Sequence, residues 1–153
     1  MTMRTHKFIG IGFLCLLSLV FSSQVFGQEK EIEKRRLLME ENNDAVVKAV
    51  KKAVNEKNYA EIQVKVKGIM ENMDQMLDLF PKGSLSEKSR AKPEIWERWD
   101  EFSKHPAKVK KAAQELGAAA KAGDEEAITV KFKALGEACA GCHKPFRAAK
   151  KAQ

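Results

Sequence analysis

From Ile128 onward the apolar residues fall at Ile128, Phe132, Leu135, Cys139, Cys142 and Phe146, alternating spacings of four and three. Such positions share one side only on an α-helix, and so narrow a stripe has to be buried against other helices. Its last part reads Cys139-Ala140-Gly141-Cys142-His143. On a helix Cys139 and Cys142 lie three apart and His143 four from Cys139, so the three side chains project from neighbouring positions of one face. C-x-x-C-H is the attachment signature of c-type haem. Two thiols bond the two vinyl groups of the ring, and the adjacent imidazole reaches the iron as proximal ligand.

Three other uses of the motif ask for partners that the chain does not offer. A thioredoxin-like C-x-x-C heads a helix that follows a strand in a βαβ unit, whereas this one closes a chain with no convincing strand pattern. A zinc site needs about four ligands. Beyond residue 27 the only further Cys or His is His105, so carboxylates would have to complete the set. A disulfide between Cys139 and Cys142 would close a tiny loop and staple little.

Three earlier stretches carry helical periodicity. About Gln28 to Asn55, Ile32, Met39, Val46, Val50 and Val54 are spaced by seven or four. From Tyr59 to Phe80 the pattern is Ile62, Val66, Ile69, Met73, Met76 and Phe80, and Pro81 ends it. Between Pro106 and Lys121 lie Val109, Ala112, Ala113, Leu116 and Ala120, with Gly123 placed for a C′ position and Asp124 for the N-cap of the fourth helix. The expected fold is all-α, an antiparallel four-helix bundle holding one covalently bound haem c between its helices. The one long connection, Pro81 to about Lys92, leads into a short helix begun by Pro93. Ile95, Trp99 and Phe102 would share a face there, with Trp96 close by, either covering the haem or the bundle end or filling core.

The chain opens with Arg4 and Lys7, an apolar run from Phe8 to Phe21, and Ser22 to Gly27. That is a charged n-region, an h-region and a polar stretch ending in a small residue, so residues 1–27 read as a signal peptide cleaved after Gly27 and residues 28–153 as the bundle. The run is short for a membrane span; left uncleaved, it would tether the same domain on the same side. Cys15 has no small residues just before it and does not read as a lipid attachment site. Export to a bacterial periplasm suits the chemistry, because the cysteines must meet haem outside the cytoplasm. Losing Arg4 and Lys7 lowers the net charge from +7 to +5. Charges of alternating sign without interleaved aromatics exclude a nucleic-acid patch.

Cys139 to His143 followed by Phe146-Arg147, the middle Phe80-Pro81 and Lys92-Pro93-Glu94-Ile95-Trp96, and the opening Arg35-Arg36-Leu37-Leu38-Met39 together resemble the class II c-type cytochromes. That family comprises cytochrome c′ and its low-spin relatives, and the likeness covers essentially the whole chain past residue 27. The resemblance implies that Cys139 and Cys142 hold the haem through thioethers and that His143 is the proximal ligand. It places Arg147 as a basic residue near the proximal face, Arg35 facing a haem propionate, and Met39 over the distal face of the iron. It also implies that homodimers through the first two helices are common.

Met39 divides two functions. With its sulfur on the iron, a six-coordinate His/Met haem suits electron transfer to a periplasmic redox partner. With Met39 only packed above an open site, the five-coordinate iron binds nitric oxide or carbon monoxide. The segment Leu38 to Asn42 resembles the low-spin members and favours the first; Arg35 resembles the gas-binding ones. An enzyme such as a peroxidase would want a distal acid-base group, and the distal candidate is a thioether. Pro145 should kink or fray the last helix, because it lacks a donor and clashes with the carbonyl of Gly141. His105 before Pro106 is expected to be a solvated loop residue rather than a second axial ligand. Lys131, Lys133, Lys144, Lys150 and Lys151 form either a docking surface for an acidic partner or, preferably, an ordinary solvated face.

Overall fold

The structure is a computed structural model that describes residues 12–149, with side chains from residue 28. The expected signal peptide therefore lies outside the described residues in its first eleven positions and in all of its side chains. Helix α1 (Gly12–Asn43) runs through a π-helical stretch, Asp44–Val50, into α2 (Lys51–Asn55). Helix α3 (Tyr59–Gln75) ends in a 3₁₀ turn at Leu77–Leu79, and one-turn helices α4 (Glu94–Glu97) and α5 (Trp99–Phe102) precede α6 (His105–Ala122) and α7 (Glu125–Phe146). No helix among the described residues is long and apolar enough to cross a membrane.

The helix ends follow local chemistry. The Asn58 side chain accepts from the Glu61 N–H at 3.1 Å and caps α3, and Asp124 accepts from the Ala127 N–H at 2.9 Å and caps α7. Each satisfies one of the orphan donors of a first turn. Gly123 has a φ of 70°, the left-handed conformation that closes α6 and that only glycine adopts without strain. The turns at the two ends are then tied together, because Tyr59 Oη donates to Glu125 Oε1 at 3.0 Å and Lys57 pairs with the same carboxylate at 2.7 Å.

Helix α6 packs along both α3 and α7. Its buried positions are Val109, Ala113, Leu116, Ala119 and Ala120, and the small ones let the neighbouring backbones approach. A Cβ added at Gly117 would stand 3.1 Å from Val66 Cγ2, so α3 and α6 meet there at close range. Ile62, Val66, Ile69 and Met73 of α3, with Ile128, Leu135, Cys142 and Phe146 of α7, complete the core. The four periodic stretches thus form the four walls, as the spacing requires.

Two elements differ from expectation. The first helix is not uniform, since seven residues from Asp44 to Val50 adopt the wider π turn. The short helix after Pro93 breaks at Arg98, whose φ and ψ of −121° and 46° lie outside the helical region. The break lets Ile95 and Phe102 both be buried to 1% exposure. Phe102 then meets Phe80 at 4.8 Å and Phe146 at 5.3 Å between ring centroids, while Trp96 Nε1 donates to the Phe80 carbonyl at 3.1 Å. These aromatics fill core at the end of the bundle.

The connection at residues 81–92 is anchored at both sides. Arg35 of α1 donates to the Leu79 carbonyl (3.2 Å), to Ser84 Oγ and carbonyl oxygen (2.7 and 2.5 Å) and to Ser89 Oγ (2.7 Å). On the other side the residues after α7 are clasped. Ala91 and Arg147 form an isolated antiparallel bridge, the Lys92 N–H donates to the Phe146 carbonyl, and the Arg90 guanidinium donates to the Ala148 carbonyl at 2.8 and 3.0 Å.

Candidate haem site

Two adjoining cavities lie between α1 and α7, of about 520 and 630 Å³, within the range of cofactor sites. Met39, Met76, Arg90, Cys142, His143 and Arg147 border both. The first is otherwise mostly apolar, faced by Val46 of the π segment, Ile69 and Met73 of α3, and Val109 of α6. The second is more charged, with Arg35, Arg36 and Lys88 against the single carboxylate of Glu40. All four walls of the bundle reach the space beside the C-x-x-C-H motif.

Helix α7 delivers that motif without a distortion. Cys139 is half-buried, Cys142 is buried, and both are free thiols. Burial pushes the Cys142 thiol up to about 11, with Cys139 adding to the effect, and raises Cys139 as well. A redox-active dithiol or a thiolate metal site needs the opposite shift. Nor does any group of three His, Cys, Asp or Glu among the described residues converge as ligands of one metal ion. Burial, followed by the charges of Arg147 and Arg90, lowers His143 to about 4. Its imidazole is neutral at physiological pH and keeps a lone pair for a metal.

The other site residues are placed as follows. Met39 is partly buried, packs on the core and borders both cavities. Arg35 is buried, and its terminal nitrogens are held by the loop carbonyls and serines described above, with its guanidinium 4.8 Å from the centroid of the Phe80 ring. Burial lowers it to about 10, still cationic, and it has no carboxylate partner among the described residues. Arg147 follows the last helical residue, and its N–H donates to the His143 carbonyl at 3.0 Å. Pro145 acts as the sequence suggests: α7 ends one residue beyond it, and the chain turns extended at Arg147. Of the lysine set, Lys131 is paired with Glu115 at 2.8 Å and Lys133 with Glu137 at 3.9 Å. Lys144 is exposed, and Lys150 and Lys151 lie outside the described residues. That face is mixed in sign.

His105 is a correction. It is not a solvated loop residue but the first residue of α6, 6% exposed, with its ring 5.7 Å from that of Phe146. It borders the first cavity, and both ring nitrogens lack a partner. Helix α6 begins one residue earlier than the sequence suggests and its first imidazole is buried, which an X-Pro pair does not announce. Burial lowers its pKa, Lys108 adds to this and Glu101 opposes it. A group lowered in the fold contributes stability that is complete above its unfolded value of about 6.5 and is lost as pH falls below it. A His105→Phe variant should therefore lose less Tm than the parent between pH 7.5 and pH 5. Equal losses in the two proteins would contradict the burial assigned to His105.

The donor set fits a haem: two neutral thiols one turn apart, a neutral imidazole beside them, an apolar cavity, and a buried guanidinium lacking a counter-charge. A helical bundle with this arrangement defines a c-type haem protein of the bundle class. Residues 30–147 match the family described as Cytochrome C′, and the chain belongs to that family, whose members carry one covalently bound haem c with iron. It is 40% identical to cytochrome c′ of Rhodospirillum rubrum over 83 residues, 54% of this chain and 56% of that one, so the match spans little more than half of that relative. It is 30% identical to cytochrome c-556 of Agrobacterium tumefaciens over 119 residues, covering 76% of this chain and 96% of the relative. Among solved structures, a cytochrome c′ with an unusual ligand-controlled dimer dissociation superposes with a TM-score of 0.72 at 27% identity, over 80% of this chain and 97% of that one.

Proposed function

We propose that this chain is an exported, periplasmic haem protein that binds a small neutral gas, nitric oxide or carbon monoxide, at an iron held on the protein side by His143 alone. The observation that carries the reading is the apolar first cavity shared by His143 and Met39. Similarity to a cytochrome c′ whose dimer dissociates under ligand control supports it further. When bound, haem c supplies an iron with a coordination position for such a ligand.

The chain's own residues do the rest. Cys139 and Cys142 fix the ring against α7, and the neutral imidazole of His143 offers its lone pair on the same face. Met39, Val46, Ile69 and Met73 make a wall with little to offer water or anions, which favours uncharged diatomics. Arg35, Arg90 and Arg147 supply positive charge where the two propionates would otherwise be uncompensated. Residues 1–27 are the signal peptide in this reading, and pairing of two copies through α1 and α3 accompanies it.

A second reading keeps Met39 as axial ligand and makes the protein an electron carrier with a periplasmic redox partner. It is favoured by the thioether's place at the wall of both cavities that His143 also borders. Absorption spectra of the purified protein, oxidised and reduced, with and without carbon monoxide, separate the two. The gas-binding reading expects a high-spin spectrum that shifts with carbon monoxide. A low-spin spectrum with an iron–methionine charge-transfer band, untouched by carbon monoxide and lost in Met39→Ala, would overturn it in favour of the carrier.

A further inference from the structure

Pro145 lies inside α7, two residues past His143, and brings no N–H to the Gly141 carbonyl. The last turn of the helix that carries the imidazole is therefore short of a backbone bond, and the final carbonyls of any helix lack intrahelical donors. Lys92 supplies two of the missing donors. Its backbone N–H reaches the Phe146 carbonyl at 3.1 Å and its Nζ the Pro145 carbonyl at 3.0 Å. The ammonium is about one-third exposed and is held on its other side by Glu94 at 2.7 Å, in the first turn of α4. Arg147, paired with Ala91 in the isolated bridge, closes the turn by donating to the His143 carbonyl at 3.0 Å. A cation at the C-terminal end of a helix also meets the helix dipole favourably.

We infer that Lys92 is a positioning residue for the proximal imidazole: it caps α7 where Pro145 interrupts it and holds the turn that bears His143 against fraying. The inference rests on the reading of His143 as the ligand of the iron. Helix ends open locally at little cost, so one hydrogen bond from a charged donor weighs more there than in the core. Its loss should raise the opened population roughly three- to tenfold. An imidazole on a frayed turn samples several orientations, whereas one on a capped turn keeps a single orientation.

The test compares the full-length haem-loaded protein with Lys92→Met, which keeps the stem and loses the ammonium, and with Lys92→Arg, which keeps a cationic donor. Two quantities are read: hydrogen exchange of the Arg147 and Ala148 amides by mass spectrometry, and the paramagnetically shifted proton resonances of the His143 side chain in the ferric state. Lys92→Met should speed the exchange by that factor and shift or split the His143 resonances, and Lys92→Arg should restore both. In a Pro145→Ala background, where the missing N–H is returned, Lys92→Met should do less. Lys110→Met, which removes the ion pair with Asp74 between α6 and α3, should leave the His143 resonances where they are. Unmoved His143 resonances in Lys92→Met overturn the positioning role even if Tm falls. A parent protein without shifted imidazole resonances overturns the ligation reading itself, and the inference with it.

Discussion

Replacing Cys139 and Cys142 together by alanine will yield a chain from which acid-acetone removes all the pigment, whereas the parent protein will remain red. The effect is complete rather than graded, because the two thioethers are the only covalent links the chain offers: Cys15 lies in the expected leader, and no other cysteine exists. His143→Ala separates attachment from ligation. That variant keeps both thiols on the seam of α7, so the pigment should stay with the chain while its absorption spectrum changes. A parent protein that gives up its colour to acid-acetone would remove the covalent haem reading altogether.

Phe102→Ala should be the most damaging substitution outside the motif. The ring is 1% exposed and stands against three others, Phe80 at 4.8 Å, Phe146 at 5.3 Å and Trp99 at 5.5 Å. Truncating a buried Phe costs about 3–5 kcal/mol, and the cost depends on how far the site can collapse. Here collapse is poor, because Phe102 also borders the second cavity and its neighbours are held. Trp96 hydrogen-bonds the Phe80 carbonyl, and Phe146 ends a capped helix. Thermal unfolding of the haem-loaded protein should lose on the order of ten degrees. A loss of only one or two degrees would mean that the aromatic cluster is a removable cover rather than core.

The sequence was most readable where one local rule acted alone. Asp124, Gly123 and the four-three spacing of α7 each name their conformation, and the thiols and imidazole follow from that helix without tertiary information. The π stretch was hidden, because Asp44 to Val50 contains no Gly or Pro to mark it, and in the fold the segment packs against α3. The role of Arg35 was also hidden. A guanidinium on the buried side of α1 is visible in the sequence, but its serine and carbonyl partners lie 44 to 54 residues away. His105 was missed because it looks like an ordinary polar residue in a turn, and only the assembled walls show that its ring nitrogens have been closed off from water.

Residues 81–92 connect to Arg35 on one side and to Phe146, Arg147 and Ala148 on the other, while among the described residues α1 and α7 themselves scarcely touch. The loop therefore bridges the wall that carries Met39 and the wall that carries His143 along the stretch where α1 and α7 do not interlock. Such a spacer can be retuned by exchanging Ser84, Ser89 or Arg90 while every buried aliphatic residue stays as it is. The bundle supplies rigidity, and the width of the cavity between its first and last walls is open to adjustment from a connection outside the four helices.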